Sequence, residues 1–472
     1  MAQKSGPTDQ EKTYLLPGRD WAHYSPTYRA KEMAVLANWV REGKSGTVVG
    51  LSGSGKSNLL GFLCYRPETI QSYLAAQLPP VSLVPVDLNN LVDDTLATFY
   101  RSILRSFYHI CSRFPETLQQ TTTTLYQENK AARDPFLPQS ALYELLSECR
   151  VQQRRIVLVI DRFDQFCQTA TPAMTNTLRG LRDSFKGTLC YIMGMRQEAI
   201  YMSDPSALGE LYEILDTRVC WVGSMSESDA RQLITQETYM ASNPPSETDI
   251  DTLLALTGNY PAPLKTACHW WLETRNRPAN SEWEEVLLEQ PGMQHRLQEI
   301  WSGLSQEERF VLAELQKLQG SNANLNHHHL LNRLAAKGLC DNTVSGWRIV
   351  SDLFASYTAT AVGYGLGKIW LDDQTDEIYH GQQLLKTLTP LEREVLRFLI
   401  KHPRVRHAKT DLIVNAWPDE LRRKGVTDDS LYQIISGLRK KVEPNPTEPC
   451  YILNWRGWPE SGYQFFPEGR PG

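Results

Sequence analysis

No two cysteines in this 472-residue chain stand at CxxC spacing. The nine cysteines are scattered singly between Cys64 and Cys450, which argues against a structural zinc site and a disulfide framework. An odd number of dispersed thiols fits a reducing compartment, so a cytoplasmic location is expected. The opening residues, MAQKSGPTDQEK, are polar, and no secretory signal is expected. No run of about 18 apolar residues occurs, so neither a helical membrane span nor a membrane partner is expected. An internal repeat of fixed period is also missing. The net charge is only −5, too small to announce a nucleic-acid binder.

That average conceals a polarity. From Leu385 to Gly472 there are 15 Lys and Arg against 11 Asp and Glu, a net of +4, leaving 34 against 43, a net of −9, for the remainder. A basic tail on an acidic body fits a module made for phosphates. Hydrophobic content of 41% and charged content of 22% are those of an ordinary folded chain. At about 100 to 200 residues per domain, three or four domains are expected.

Residues 1–25 read as a loose lead-in. Beyond them, SGTVVGL, SLVPVDL, RIVLVID and GTLCYIMG are short, β-branched and strand-like. Between them KSNLLGFLCY, TLATFYRSILRSFYHICSRF, SALYELLSECRVQQ and MTNTLRGLRDSF have helical spacing. Strands alternating with helices predict a mainly parallel sheet. The biased tract QQTTTT at 119–124 reads as a loop within this unit. Residues 224–290 read as entirely helical. A helix-rich unit follows, ending in a strand-like GWRIVSDLFASYT at 346–358. The tail has an alternating stretch (GKIWLDDQTDEIYHG), helices, and a closing hairpin (CYILNWRGWPESGYQFF).

Gly50–Ser57 reads GLSGSGKS, the G-x-x-x-x-G-K-[ST] pattern, after an apolar strand and before an amphipathic helix. Gly50, Gly53 and Gly55 permit a backbone curve that turns the N–H groups of Ser52, Ser54 and their neighbours into one anion-binding concavity. Lys56 supplies a charge for the β- and γ-phosphates, Ser57 a hydroxyl for Mg²⁺, and Asn58 continues the binding turn. RRIVLVIDRFDQF delivers Asp161 at the end of a buried strand, where open α/β sheets bind ligand, as a direct or water-mediated Mg²⁺ holder. Asp164 either polarises a water or caps the next helix. Arg196, just past the strand GTLCYIMG, either meets the γ-phosphate or pairs with a surface carboxylate.

GLSGSGKS, VLVIDRFD, the strand ending at Arg196 and TGNYP at 257–261 occur in the order that resembles the STAND-type signalling NTPases, relatives of the AAA+ and origin-recognition ATPases. The resemblance covers roughly residues 26–290. It implies ATP or ADP as the bound nucleotide, with Mg²⁺. In YSPTYRAKE it implies a nucleotide contact from Arg29, and in TGNYPAPL an approach of Pro261 to the adenine. Many fast relatives have Glu directly after the metal-binding Asp. This chain has Arg162 there, so the resemblance implies slow hydrolysis suited to a switch. LSQEERFVLAELQKL, LAAKGLC and WRIVSDLF resemble the winged-helix appendage of the same families. His327, His328 and His329 are adjacent rather than four apart, and read as a solvated helix start rather than a metal site.

In the tail, LTPLEREVL, SLYQIISGLRKKVEP and RGWPESGY resemble the OmpR/PhoB class of winged helix-turn-helix domains. Leu431, Ile435, Leu438 and Val442 stand at core spacing on its third helix. By that resemblance residues 427–442 enter the major groove of double-stranded DNA, with Gln433, Ser436 and Lys440 near base edges. Arg439 and Lys441 would meet phosphates, and Arg456 on the wing would sit near the minor groove. Arg422, Arg423 and Lys424 would contact DNA backbone or RNA polymerase. Gly437 stands where the class often has Arg, and the wing carries extra residues.

The expected fold is therefore an α/β P-loop NTPase (26–223), a parallel sheet sandwiched by helices. A helical lid (224–290) follows, then a winged-helix appendage (291–362) and a winged helix-turn-helix domain (363–472). The expected function is a nucleotide-switched transcription regulator, a slow ATPase, with homo-oligomerisation in one nucleotide state and a separate trigger. The alternatives are a STAND-type sensor of a defence system and an initiator-like DNA-remodelling ATPase.

Overall fold

The computed structural model describes residues 21, 24–74, 79–199, 208–209, 211–241, 243–317, 327–344, 346–362, 368–372, 375–381, 383–417, 428–443, 446–447, 449–455 and 461–469. The chain divides into two compact units: residues 1–303 with 334–339, and residues 304–333 with 340–472. No helix among the described residues is long and apolar enough to cross a membrane.

The first unit is built on one sheet. β1 (Gly46–Val49), β2 (Val81–Val86), β3 (Arg155–Ile160), β4 (Leu189–Met195) and β5 (Val219–Trp221) lie in the order β2-β3-β4-β1-β5. Every pairing is parallel, so all five C-terminal ends meet one edge. β1 and β4 are buried throughout, and β3 everywhere but its first residue. This is why they read as continuous apolar runs rather than alternating ones. The four expected strands are present. β5 has only three residues, too few to show a period.

Helices cover the sheet. Lys56–Tyr65 follows β1, Leu96–His109 and Phe136–Val151 lie between β2 and β3, and Pro172–Ser184 precedes β4. Phe99, Phe107, Leu145, Ile156, Leu158 and Tyr191 share one core. The QQTTTT tract corrects the expectation of a loop: it lies inside the helix Glu116–Asn129. Threonine costs a helix up to about 0.7 kcal/mol per residue. Against this, Leu118 and Leu125 are buried with Thr122 between them, worth roughly 1.5–3 kcal/mol per leucine. The hydroxyls of Thr121, Thr122 and Thr123 each donate to the carbonyl four residues back, so none is left unsatisfied.

Beyond β5 the chain is helical: Glu227–Glu237, Glu247–Thr257, Pro261–Glu273, Trp283–Glu289 and Pro291–Ser302. Ser226 and Ser246 cap the first two, the second in a capping box with Asp249. Trp270 and Trp283 meet edge to face at 5.3 Å. The helix Pro291–Ser302 belongs to this first unit.

In the second unit the helix Gln306–Lys317 precedes an antiparallel hairpin, β6 (Cys340–Thr343) with β7 (Gly346–Ile349), and the helix Asp352–Val362. GWRIVSDLFASYT is thus half strand and half helix, the helix beginning where Ser351 Oγ accepts from Phe354 N. Further on, β8 (Ile369–Leu371), β9 (Ile378–His380) and β10 (Gln383–Leu384) form a small antiparallel sheet. The helices Pro390–Lys401, Lys409–Ala416 and Asp428–Val442 follow, with β11 (Arg406–Ala408), β12 (Ile452–Trp455) and β13 (Gly462–Phe465) as a second sheet. Leu431, Ile435, Leu438 and Val442 are all buried. Thr389 and Glu392 form the capping box of the helix Pro390–Lys401.

Candidate functional site

The sheet order brings three loops together. β1 lies beside β4 and β4 beside β3, so the loops after β1, β3 and β4 open at one edge. They carry Gly50–Ser57, Asp161 with Asp164, and Arg196. Gly53 and Gly55 have φ of +75° and +87°, which a side chain resists. Close approach excludes a side chain at Gly53 as well: a Cβ there would lie 2.5 Å from the Ala262 Cβ. Ala262 N donates to Gly53 O at 3.1 Å, so the helix Pro261–Glu273 begins directly on the loop.

Lys56 is 7% exposed. Burial lowers the pKa of its ammonium, while Asp161 and Asp164 pull it back up and Arg196 and Arg162 push it down. Those four groups are therefore its charged surroundings. Asp161 Oδ1 accepts from Arg162 N at 2.9 Å, and a Cβ at Gly194 would lie 2.7 Å from that oxygen, so β4 leaves room for the carboxylate. Asp164 does not cap the following helix. Its Oδ2 accepts from Arg196 N at 3.2 Å, tying the loops after β3 and β4 together. Its Oδ1 is buried without a protein partner. The Arg196 side chain is exposed.

The donor set fits Mg²⁺: a hydroxyl at Ser57, a carboxylate at Asp161, and the unsatisfied Asp164 oxygen close by. Such an ion keeps most of its waters and needs few protein ligands. Among the described residues no group of three or more His, Cys, Asp or Glu forms a metal cage.

Arg29 is only 2% exposed. Its guanidinium donates to Ser54 O (2.7 Å), Gly223 O (2.9 Å), Ser224 O (2.9 Å) and Glu32 Oε1 (3.1 Å). It braces the phosphate loop against the loop after β5. The same segment supplies what sequence reading passed over. Tyr24 and Tyr28 meet at 4.5 Å and line a pocket with Asn58, Met225, Asp229 and Pro261. Asn58 Nδ2 donates to the Tyr24 hydroxyl at 3.2 Å. The two rings are tilted by 44° and form an aromatic corner beside the end of the phosphate loop. The tyrosines stand within YSPTYRAKE, and their spacing of four was the available signal.

In the C-terminal domain the helix Asp428–Val442 exposes Tyr432, Gln433 and Lys440, with Ser436 half-buried on the same side. Arg439 points elsewhere: its Nε donates to Ile452 O at 3.0 Å and its Nη2 to Asn454 Oδ1 at 3.1 Å. Lys441 donates to Glu392 Oε2 at 2.5 Å. Both are spent on internal contacts rather than on an open face. Gly437 has a steric reason: a Cβ there would lie 2.6 Å from Glu392 Oε1. Arg422, Arg423, Lys424 and Arg456 lie outside the described residues. Sequence reading also missed Glu443, which is 6% exposed. Its carboxylate accepts from the backbone N–H groups of Cys450 (2.7 Å), Tyr451 (3.0 Å) and Ile452 (2.7 Å), fixing the start of the wing strand. Glu443→Ala is expected to lower the stability of this domain by about 2–4 kcal/mol, since three buried donors lose a charged acceptor. Urea unfolding followed by tryptophan fluorescence measures it, and a loss under about 0.5 kcal/mol would show that the wing start holds itself.

Known proteins bear on this geometry. The model of the novel STAND NTPase 1 family matches residues 27–334, and that of the C-terminal domain of transcriptional regulatory proteins matches residues 381–465. The protein belongs to the STAND NTPase family and carries a C-terminal transcription-regulatory domain of the OmpR/PhoB type. It is a DNA-binding regulator built on a nucleotide-binding P-loop NTPase. A comparison with curated proteins finds no match. Among solved structures, the Walker-type ATPase of Pyrococcus abyssi is 12% identical, over 70% of this chain and 95% of that one, with a TM-score of 0.42. The Aeropyrum pernix ORC2 protein in its ADP form is 14% identical, over 74% and 96%, with a TM-score of 0.37. No assignment rests on likenesses this distant.

Proposed function

We propose that ATP bound with Mg²⁺ at Gly50–Asn58 controls the DNA-binding competence of the C-terminal domain. The observation that carries this reading is the assembly of Lys56, Asp161, Asp164 and Arg196 at one sheet edge, in a chain that also carries a DNA-binding regulatory domain. In this reading the units are a nucleotide core (26–223), a lid (224–290), an appendage (291–362) and a reader of double-stranded DNA (363–472).

Each residue has a task. Lys56 neutralises the β- and γ-phosphates, and the backbone N–H groups from Ser52 to Ser57 cradle them. Ser57 and Asp161 hold Mg²⁺, which when bound supplies charge neutralisation for the phosphates. Asp164 Oδ1, without a protein partner, accepts from the attacking water and orients it. Arg196 meets the γ-phosphate. Pro261, Tyr24 and Tyr28 enclose the base. Arg162 follows Asp161 where a second carboxylate would speed hydrolysis, so turnover is slow and the bound state lasts. Gln433, Ser436 and Lys440 read base edges, and the partners are duplex DNA, RNA polymerase, a second copy of the chain and a trigger.

The test is selection of DNA sequences by the full-length protein, in parallel with ADP and a non-hydrolysable ATP analogue. One motif enriched in a single nucleotide state is the expected result. Equal enrichment in both states would remove the switch and leave a DNA-binding regulator. Strong stimulation of hydrolysis by DNA would favour a remodelling ATPase instead.

A further inference from the structure

The helix Pro291–Ser302 brings a charged cluster to the phosphate loop that the loop's own motif does not contain. Ser52 Oγ donates to Glu299 Oε1 at 3.1 Å. Arg296 Nη1 donates to Glu299 Oε2 at 2.8 Å, and His295 Nε2 lies 3.8 Å from the same oxygen. Burial raises the Glu299 carboxyl, but the hydrogen bonds from Arg296 and Ser52 outweigh it and hold the group below its ordinary value. Glu299 is therefore an anion set against a loop built to hold anions. The end of the helix touches the loop too: a Cβ at Gly303 would lie 3.0 Å from Leu51 Cδ2. The next residue, Leu304, opens the second unit.

We propose that Glu299 sets the loop's preference between nucleoside diphosphate and triphosphate and makes the helix Pro291–Ser302 sensitive to which is bound. This rests on the reading of Gly50–Asn58 as a nucleotide site. A serine hydroxyl has one proton to give. Ser52 can give it to Glu299 or to a phosphate oxygen, but not to both. The carboxylate has no proton to offer a phosphate, and like charges repel it from the loop, while Arg296 is drawn the opposite way. A triphosphate adds a further anionic group to a loop that cradles the β and γ positions. It breaks the Ser52–Glu299 link where a diphosphate leaves it made. The helix then keeps the Leu51–Gly303 contact but loses its polar tether to the loop.

The experiment uses the full-length protein with Mg·ADP and the Mg complex of a non-hydrolysable ATP analogue, titrated calorimetrically. Removing the charge by Glu299→Gln is expected to strengthen analogue binding about tenfold and ADP binding at most about threefold. Removing the compensating cation by Arg296→Ala shifts the ratio the opposite way. Opposite signs are not what a merely structural role would give. In the wild type, hydrogen exchange across residues 291–303 speeds up with the analogue relative to ADP, and in Glu299→Gln that difference vanishes. The proposal is overturned if the wild type binds both nucleotides and neither variant changes their ratio. A wild type that binds neither nucleotide overturns the underlying site reading as well.

Discussion

Replacing Lys56 by alanine is expected to weaken nucleotide binding by about two to three orders of magnitude. The ammonium is buried at the start of the helix Lys56–Tyr65, among Asp161, Asp164, Arg162 and Arg196. Burial disfavours the charged form, and the two aspartates oppose that by favouring it. A unit charge about 4 Å from a phosphate oxygen, at an effective dielectric constant of about 20, is worth about 4 kcal/mol. Each 1.4 kcal/mol is about tenfold in affinity, and part of the gain is returned as desolvation. Calorimetric titration with ADP and the ATP analogue reads the loss. If the nucleotide governs DNA binding, Lys56→Ala also gives the same DNA affinity with either nucleotide. A variant binding both within about threefold of wild type would move the phosphate site away from this loop.

The phosphate loop, the strand bearing Asp161 and the helix Asp428–Val442 were legible because their local signals agree with their packing. Gly53 and Gly55 are glycines for conformational reasons that act on the chain directly, and the core stripe of Leu431, Ile435, Leu438 and Val442 has one period. What was hidden depends on residues far apart in the chain. The threonines at 121–124 look like a loop until Leu118 and Leu125 find a core. The internal contacts of Arg439 and Lys441 were not legible, because a basic residue on a helix carries no mark of which atoms its side chain meets. Ile452 and Glu392, which take them, lie in other elements. Glu299 stands 247 residues from Ser52, and only the folding of the helices after β5 brings it there.

The hidden contacts share a direction. Asp164 and Arg196 join the loops after β3 and β4, Ala262 joins the helix Pro261–Glu273 to the phosphate loop, and Glu299 joins the loop to the helix Pro291–Ser302. Each of them has at least one partner outside the phosphate motif. A motif specifies the cradle, and the contacts around it determine what else moves when the cradle is filled.

Arg29→Ala is expected to cost about 3–5 kcal/mol of stability. Arg29, directly before the helix Ala30–Glu42, ties that helix to the loops after β1 and β5 at once, through three backbone carbonyls and Glu32. Its own φ of 53° is left-handed, and such a backbone costs about 1–3 kcal/mol unless its surroundings enforce it. The backbone N–H, which donates to Asp229 Oδ2 at 3.2 Å, helps to do so. Removing the guanidinium leaves Ser54 O, Gly223 O and Ser224 O without their donor, and breaking a buried charged network is costly. Arg29→Lys is expected to recover less than half of the loss, because one ammonium cannot reach acceptors that a planar fork spans in two directions. Chemical denaturation of both variants separates two roles that the sequence leaves alike. A residue that only touched nucleotide would lower affinity at unchanged stability. Loss of the brace lowers stability without any nucleotide present, and affinity falls with it because Ser54 loses its position in the loop.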